Sequence, residues 1–261
     1  MTEGPVAYEV ADGVGRITLD RPAVLNALDA ALAAALADCA ERAAADPAVD
    51  IVVVRGRGRA FCSGMDRTAL AAGGIGEAFY RHWIRALNCL EDMPKVALAV
   101  LHGYSIGGGL QLALACDLRL ATEDAVLGLG ASTHGIIPDG AVLRLARVVG
   151  LGRAKELALL NDDVTPARAE ALGLVNWVCP AGEVDARVAA LVGRLRRQAP
   201  TANGHIKRLL HDSFHRDPRA LIEDVLRAQA ECMASWEARE ANRAWQERRE
   251  AIFHPRPGPA R

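Results

Sequence analysis

The chain is poor in aromatic residues: Phe, Trp and Tyr supply 4% of its 261 positions, against 51% hydrophobic residues in all. Its core is therefore expected to consist mainly of Ala, Val, Leu and Ile, packed closely without many ring contacts. Net charge is nearly absent as well. Lys and Arg total 31, Asp and Glu 32, for a balance of −1. The chain as a whole thus carries no electrostatic footprint for nucleic acid or an anionic membrane surface. Its densest basic stretch, Arg239, Arg243, Arg248 and Arg249, is interleaved with Glu237, Glu240, Glu247 and Glu250. That pattern reads as a solvated helix face.

Paired cysteines are also lacking. Cys39, Cys62, Cys89, Cys116, Cys179 and Cys232 lie far apart and form no CxxC, so reduced thiols are expected. The longest apolar stretches are broken by His102 and Gln111, short of the ~18 residues that a membrane span needs. The opening MTEGPVAYEV has no basic segment followed by an apolar core, so a cytoplasmic protein without a membrane partner is expected. At charged residues of 24% the chain has a globular balance, and its length allows one large domain or two small ones.

What is present has the order of an α/β fold. Val6–Val10 and Val14–Leu19, split by Asp12-Gly13, read as a hairpin. Asp29 opens a helix with the stripe Leu28, Leu32, Leu36 and Cys39. Ile51–Val54 and Val96–Leu101 are wholly apolar and short, as strands buried on both faces are. Between them a helix carries Phe79, Trp83, Leu87 and Leu90 and stops before Pro94. Gly109–Cys116 is expected to be helical and Leu118–Ala121 a strand. Strand, crossover helix and strand in succession predict parallel pairing. Beyond Pro180 only helices are expected, with stripes Val184, Val188, Leu191, Leu195 and Leu221, Val225, Ala228, Cys232, and a last helix from Trp236 to Ile252 before a Pro255–Pro259 tail. A composition shift near residue 200 separates a core, 1–199, from a helical region, 200–261, within one domain.

Two loops that follow buried strands are candidates for chemistry: Gly58–Asp66, and His102–Gly109, whose glycines run into a helix. Free N–H groups at a helix N-terminus suit a phosphate or a developing oxyanion, and the same glycines also serve tight turns. Gly103-Tyr104-Ser105-Ile106-Gly107 matches GxSxG, and Asp139, Asp163, His205, His211 and His215 follow it in the order of a serine hydrolase. No HGGG-type loop lies upstream to complete that reading. His211 and His215 have the i, i+4 spacing of metal ligands but no third ligand is implied, and no metal is expected. Gly56-Arg57-Gly58 lacks the third glycine of a dinucleotide fingerprint.

Taken in order, six segments resemble the enoyl-CoA hydratase/isomerase (crotonase) superfamily: DRPAVLNALD (20–29), AFCSGMD (60–66), HGYSIGGGLQLALACDLRLA (102–121), GIIPDGAVLRLARVVG (135–150), ARAEALGLVNWVCP (167–180) and SWEAREANRAWQERREAIF (235–253). The resemblance implies a spiral of ββα turns, a C-terminal helical region that trimerises, as a homotrimer or a dimer of trimers, and an acyl-CoA thioester as ligand, with no cofactor beyond that CoA. It assigns an oxyanion hole to the peptide N–H groups of Ser63 and Gly108. Substrate contacts are implied at Ala27, Ala60, Cys62, Met65, Asp66 and Gly107, with Asp66 also fixing its loop. Met65, Leu70 and the Phe79–Trp83 helix are expected to wall the pocket. Ser105 then becomes a turn residue.

Hydratases of this superfamily use two glutamates to hold and protonate around a water. Their positions here are Gln111 and Ala131. An amide orients groups but does not exchange protons near neutral pH, so a double-bond isomerisation is expected over hydration. Asp139 is the remaining acid for that proton transfer, with capping of a helix through Ala141–Val149 as its other reading. His134 is a second titratable candidate. An atypical hydratase and a non-catalytic acyl-CoA-binding protein are the competing expectations.

Overall fold

A computed structural model describes residues 4–254. Strands β1 (Val6–Ala11) and β2 (Val14–Leu19) form the expected hairpin, with Asp12 and Gly13 both left-handed at its turn. Helix α1 (Ala30–Ala45) follows; the Asp29 carboxylate caps it by accepting the Leu32 N–H at 2.8 Å. The chain then runs through β3 (Ile51–Gly56), α2 (Arg67–Ala71), α3 (Glu77–Asp92), β4 (Val96–Leu101), β5 (Tyr104–Ile106), α4 (Gly108–Ala115), β6 (Leu118–Thr122) and β7 (Val126–Gly128). Beyond these lie α5 (Asp139–Val142), α6 (Leu145–Leu160), α7 (Pro166–Ala171) and β8 (Trp177–Cys179). The C-terminal helices are α8 (Val184–Arg196), α9 (Pro200–Asp212), α10 (Pro218–Ala234) and α11 (Trp236–Gln246).

The main sheet has the order β1-β2-β3-β4-β6-β8, antiparallel only at its first pair. Alternation along β3 sends Val52 and Val54 to one face and Ile51 and Val53 to the other. The first face packs on α1 and α3 through Leu32, Leu36, Trp83 and Leu87, and the second on α8 through Leu191. Apolar strands without an alternating pattern are accounted for by helices on both sides. A small parallel pair, β5 and β7, stands apart from this sheet and carries the glycine-rich loop. No helix among the described residues is long and apolar enough to cross a membrane.

Three expectations are corrected. The final helix ends at Gln246, not Ile252: Arg248 is left-handed, and Arg249 turns back to pair with Glu240 and Glu247, while Glu240 accepts the Ile252 N–H at 3.0 Å. The interleaved charges thus fold the chain end onto its own helix. In α10 the buried stripe is Leu221, Asp224 and Ala228, with Val225 exposed. Asp224 is tolerated there because Arg216 and Arg227 both pair with it. The helix expected over 141–149 is two helices, α5 and α6, broken before Leu145. The Pro255–Pro259 tail lies outside the described residues.

Candidate active site

The first loop is braced by the DRPAVLNALD segment. Asn26, fully buried and left-handed, accepts the Arg21 N–H at 2.8 Å and donates to the carbonyls of Arg57, Ala60 and Phe61. Arg21 pairs with both Asp29 and Asp66, at 3.0 and 3.3 Å. Asp66 caps α2, accepting from Thr68 and Ala69. The Ala69 N–H above all, with Arg21, holds its carboxyl below the usual range. The role expected of Asp66 in fixing its loop is met by this geometry.

Residues 63–66 then run beside 25–28. Ser63 N–H donates to Leu25 O at 3.0 Å, Leu28 N–H to Gly64 O at 2.8 Å, and Asp66 N–H to Leu28 O at 2.9 Å. In such a ladder, N–H groups of successive residues alternate sides. The Ser63 N–H is taken by Leu25. Past the left-handed turn at Gly64, Gly64 O and Asp66 N–H both face Leu28, so the N–H of Met65 between them turns away, and it has no acceptor among the described residues while Met65 lines the cavity. This corrects the assignment of Ser63 as a hydrogen-bond donor to the ligand: the free donor lies two residues on. Gly64 makes the turn possible. Its φ is +92°, and a Cβ would lie 2.9 Å from Ile106 O.

The second loop is stitched to the first. Cys62 N–H donates to Tyr104 O and Ile106 N–H to Cys62 O, at 2.9 and 3.0 Å. Gly107, at φ +57°, then swings the chain into α4, whose first residue, Gly108, has an N–H with no acceptor among the described residues. The approach of the loops requires glycine: a Cβ on Gly109 would lie 2.3 Å from Cys62 O, and one on Gly108 2.1 Å from Leu28 Cδ1. Met65 and Gly108 thus present two free N–H groups to one cavity of about 300 Å³. Such a pair is suited to an oxyanion, the second donor strengthened by the helix dipole.

Apolar groups wall the cavity: Leu28, Leu70, Phe79, Trp83, Leu129 and Ile136. Ala131 also lines it, so no carboxylate stands there. Gln111, one turn into α4, accepts the Gly140 N–H through Oε1 at 2.7 Å. It ties α4 to the start of α5 and is spent as an acceptor. Arg144 ties the same point from behind, donating to Gly140 O at 3.1 Å and Asn88 Oδ1 at 2.9 Å and pairing with Glu91.

Asp139 is set by these ties. It is the first residue of α5, Pro138 holds the N-cap position, and no side-chain capping bond forms there. Capping, the alternative weighed from sequence, is thereby removed. The carboxylate lines the cavity with Oδ2 buried and without a hydrogen-bond partner. Burial pushes its pKa above the ordinary carboxylate value, partly offset by the Gly140 N–H and the Arg144 charge. His134, in a 3₁₀ turn (Ser132–His134), also lines the cavity but is exposed.

Of the substrate contacts inferred from sequence, Met65 and Gly107 line the cavity, whereas Ala27, Ala60, Cys62 and Asp66 sit outside it in the bracing layer. The Cys62 thiol is fully buried and pushed up to about 12, which leaves it inert as a nucleophile. Ser105 is also fully buried, its hydroxyl without a partner, so no histidine or acid activates it and the hydrolase reading falls. His211 and His215 both lie against the Arg147 guanidinium, at 3.1 and 3.2 Å, a cation that opposes metal binding. Asn26, which braces the first loop, and Tyr80, which lines the cavity, are positions that sequence reasoning did not single out. Tyr80 was available as the i−3 neighbour of Trp83 on the cavity face.

Two free N–H groups over an apolar cavity, set beside a largely parallel sheet, match what the crotonase resemblance implies. The Enoyl-CoA hydratase/isomerase family model matches residues 9–256, and the chain belongs to that family. Among its relatives, 2,3-dehydroadipyl-CoA hydratase of Escherichia coli (strain K12) is 34% identical over 76% of this chain and 78% of its own. The solved enoyl-CoA hydratase of Mycobacterium smegmatis superposes with a TM-score of 0.90 at 28% identity, covering 97% of this chain and 100% of that one. That of Mycobacterium tuberculosis H37Rv gives 0.85 at 30% identity, covering 95% and 98%.

Proposed function

We propose that the protein moves the double bond of an acyl-CoA thioester, with Asp139 as the base. The observation that carries this reading is the buried, unpartnered Oδ2 of Asp139 in a cavity where both hydratase acids are replaced by Gln111 and Ala131. The thioester oxygen of a 3-enoyl-CoA lies between the Met65 and Gly108 N–H groups. Asp139 takes a proton from C2, the C–H electron pair moves into the conjugated enolate, and the negative charge settles on the oxygen that the two donors hold. The carboxylic acid then returns its proton to C4, leaving the double bond between C2 and C3. One carboxylate serves both transfers, and its raised pKa brings it towards the range in which giving and taking are balanced. Because the base must be charged, turnover falls as pH drops through that raised value.

Each N–H is worth about 3 kcal/mol to such a charge, and no cofactor beyond the substrate's CoA enters the scheme. A direct assay separates this reading from its rivals. A 3-enoyl-CoA is expected to gain the conjugated-enoyl absorbance, whereas crotonyl-CoA is expected to keep it. Rapid loss of absorbance from crotonyl-CoA would instead support hydration, the activity printed in the names of the relatives. Tight acyl-CoA binding with neither change would support a non-catalytic binding protein.

Assembly as a homotrimer, or a dimer of trimers, in the cytoplasm is part of the same proposal. Leu143 and Leu151, Leu210 and Phe214, and Leu226 and Met233 stay exposed on α6 and its approach, on α9 and the turn after it, and on α10. Such apolar surface favours burial against further copies. Light scattering is expected to return three or six times the 27.7 kDa chain mass; a monomer at micromolar concentration would contradict this part.

A further inference from the structure

Asp139 sits on a segment with little structure of its own to hold it. The stretch before it, 132–137, is largely exposed, and α5 is a single turn of four residues without a side-chain cap. A helix that short is not stable by itself. The place of the carboxylate is therefore set by what grips its neighbour, Gly140. The Gly140 N–H goes to Gln111 Oε1 and its carbonyl to Arg144 Nη1, at 2.7 and 3.1 Å. Packing closes the remaining side, since a Cβ on Gly140 would lie 2.6 Å from Leu87 Cδ1.

The two grips differ in kind. Gln111 lines the cavity, where a substrate would meet it, whereas Arg144 stands outside that lining. Arg144 is 2% exposed, and a buried guanidinium is costly unless it is paired. Its partners are on α3: Asn88 Oδ1 at 2.9 Å, and the Glu91 carboxylate. Glu91 also pairs with Arg147 at 3.4 Å, and Arg147 Nε holds the Leu143 carbonyl at 2.8 Å. Along α3, Phe79, Trp83, Leu87 and Leu90 are buried in the core. The fork of Arg144 thus joins the carbonyl beside Asp139 to a fixed element, as a planar guanidinium can and a single ammonium cannot.

The double-bond shift makes strict demands on that placement. A base that takes a proton from C2 and returns it to C4 must reach both carbons from one position. A base displaced towards one of them still breaks and remakes the C–H bond there but leaves the double bond unmoved.

We propose that Arg144 is a positioning residue: held by Asn88 and Glu91, it fixes the Gly140 carbonyl so that Asp139 reaches C2 and C4 from one place. The proposal rests on the reading of Asp139 as the base, and its test keeps the two apart. Arg144→Lys keeps the positive charge and gives up the fork. With a 3-enoyl-CoA as substrate, kcat for the shift is expected to fall about a hundredfold, as for a misplacement of about 1 Å, with KM within about twofold.

Turnover in deuterium oxide gives a readout that loss of folded protein does not move. In the variant Asp139 takes the C2 proton, trades it for a solvent deuteron and hands the deuteron back to C2, so unshifted substrate gains deuterium. Exchange is followed by mass spectrometry at C2 of a 3-enoyl-CoA and at C4 of a 2-enoyl-CoA. At one of these ends, its ratio to the shift is expected to rise about tenfold over wild type. Both events need folded enzyme, so a smaller folded fraction lowers them together and leaves the ratio alone. If Arg144→Lys does not fold, Asn88→Ala decides by the same ratio, since it removes one partner of Arg144 at an exposed position. A ratio unchanged at both ends overturns the role of Arg144 and leaves the base untouched if Asp139→Asn is inactive. Full activity in Asp139→Asn overturns the base itself and this proposal with it.

Discussion

Asp139→Asn is expected to lower turnover of a 3-enoyl-CoA about a thousandfold, the size of a lost general base, while acyl-CoA affinity changes less than threefold. The side chains are nearly the same size, so the contacts that hold the start of α5 persist: Gly140 N–H to Gln111 and Gly140 O to Arg144. Oδ2 makes no hydrogen bond, and the Gly140 N–H and the Arg144 guanidinium that favour the charged form keep their bonds to Gln111, Asn88 and Glu91. The fold is expected to gain slightly, because a carboxyl whose pKa burial raises destabilises the folded state once it ionises. The sign follows from linkage. A raised folded-state pKa gives a contribution fully present below the unfolded value and lost as pH rises through the folded one. The melting temperature of Asp139→Asn should therefore match wild type in acid and equal or exceed it near neutrality. Turnover within a few-fold of wild type would remove Asp139 from the mechanism.

Gly108→Ala carries the second large effect. The added methyl would sit 2.1 Å from Leu28 Cδ1 and 3.5 Å from Trp83 Cζ2. Leu28 is 2% exposed and walls the cavity, so the clash is relieved either by turning Leu28 into the space for the acyl group or by moving the start of α4, and both disturb the site. Overpacking of this kind costs about 1–3 kcal/mol of stability. Displacing one oxyanion donor costs about a hundredfold or more in kcat. Gly152→Ala is the control, since nothing lies within 4 Å of its added Cβ. Steady-state kinetics and thermal melts on both variants check this. If Gly108→Ala turned over like Gly152→Ala, its N–H would have no part in holding the thioester oxygen.

The order of the main strands and helices is written in the apolar runs. Val96–Leu101 is a strand at those same bounds, and Asp29 caps the helix that its spacing announces. Three-residue strands such as β5 and β7 carry no period to read, and their pairing is set by the loops they join. The donor in the first loop shows the same limit more sharply. Motif position points to Ser63, but which N–H is free depends on the ladder between 63–66 and 25–28, a contact across 38 positions (63 − 25) that spacing within AFCSGMD does not encode. Asn26 escaped notice for a related reason: its work is to satisfy three carbonyls of a distant loop. The absences, by contrast, were fully legible. Gln111 and Ala131 face the cavity as neutral groups, and the structure adds what Gln111 does instead, holding Gly140 so that Asp139 is presented to the site.

The position of a bound thioester is the most direct test of these roles. A crystal structure with a non-isomerisable acyl-CoA is expected to place the thioester oxygen within about 3.1 Å of both the Met65 and Gly108 nitrogens. It should also place Asp139 Oδ2 within about 3.5 Å of C2 or C4, near-attack range. A thioester oxygen held elsewhere, with Asp139 facing only the far end of the chain, would contradict it.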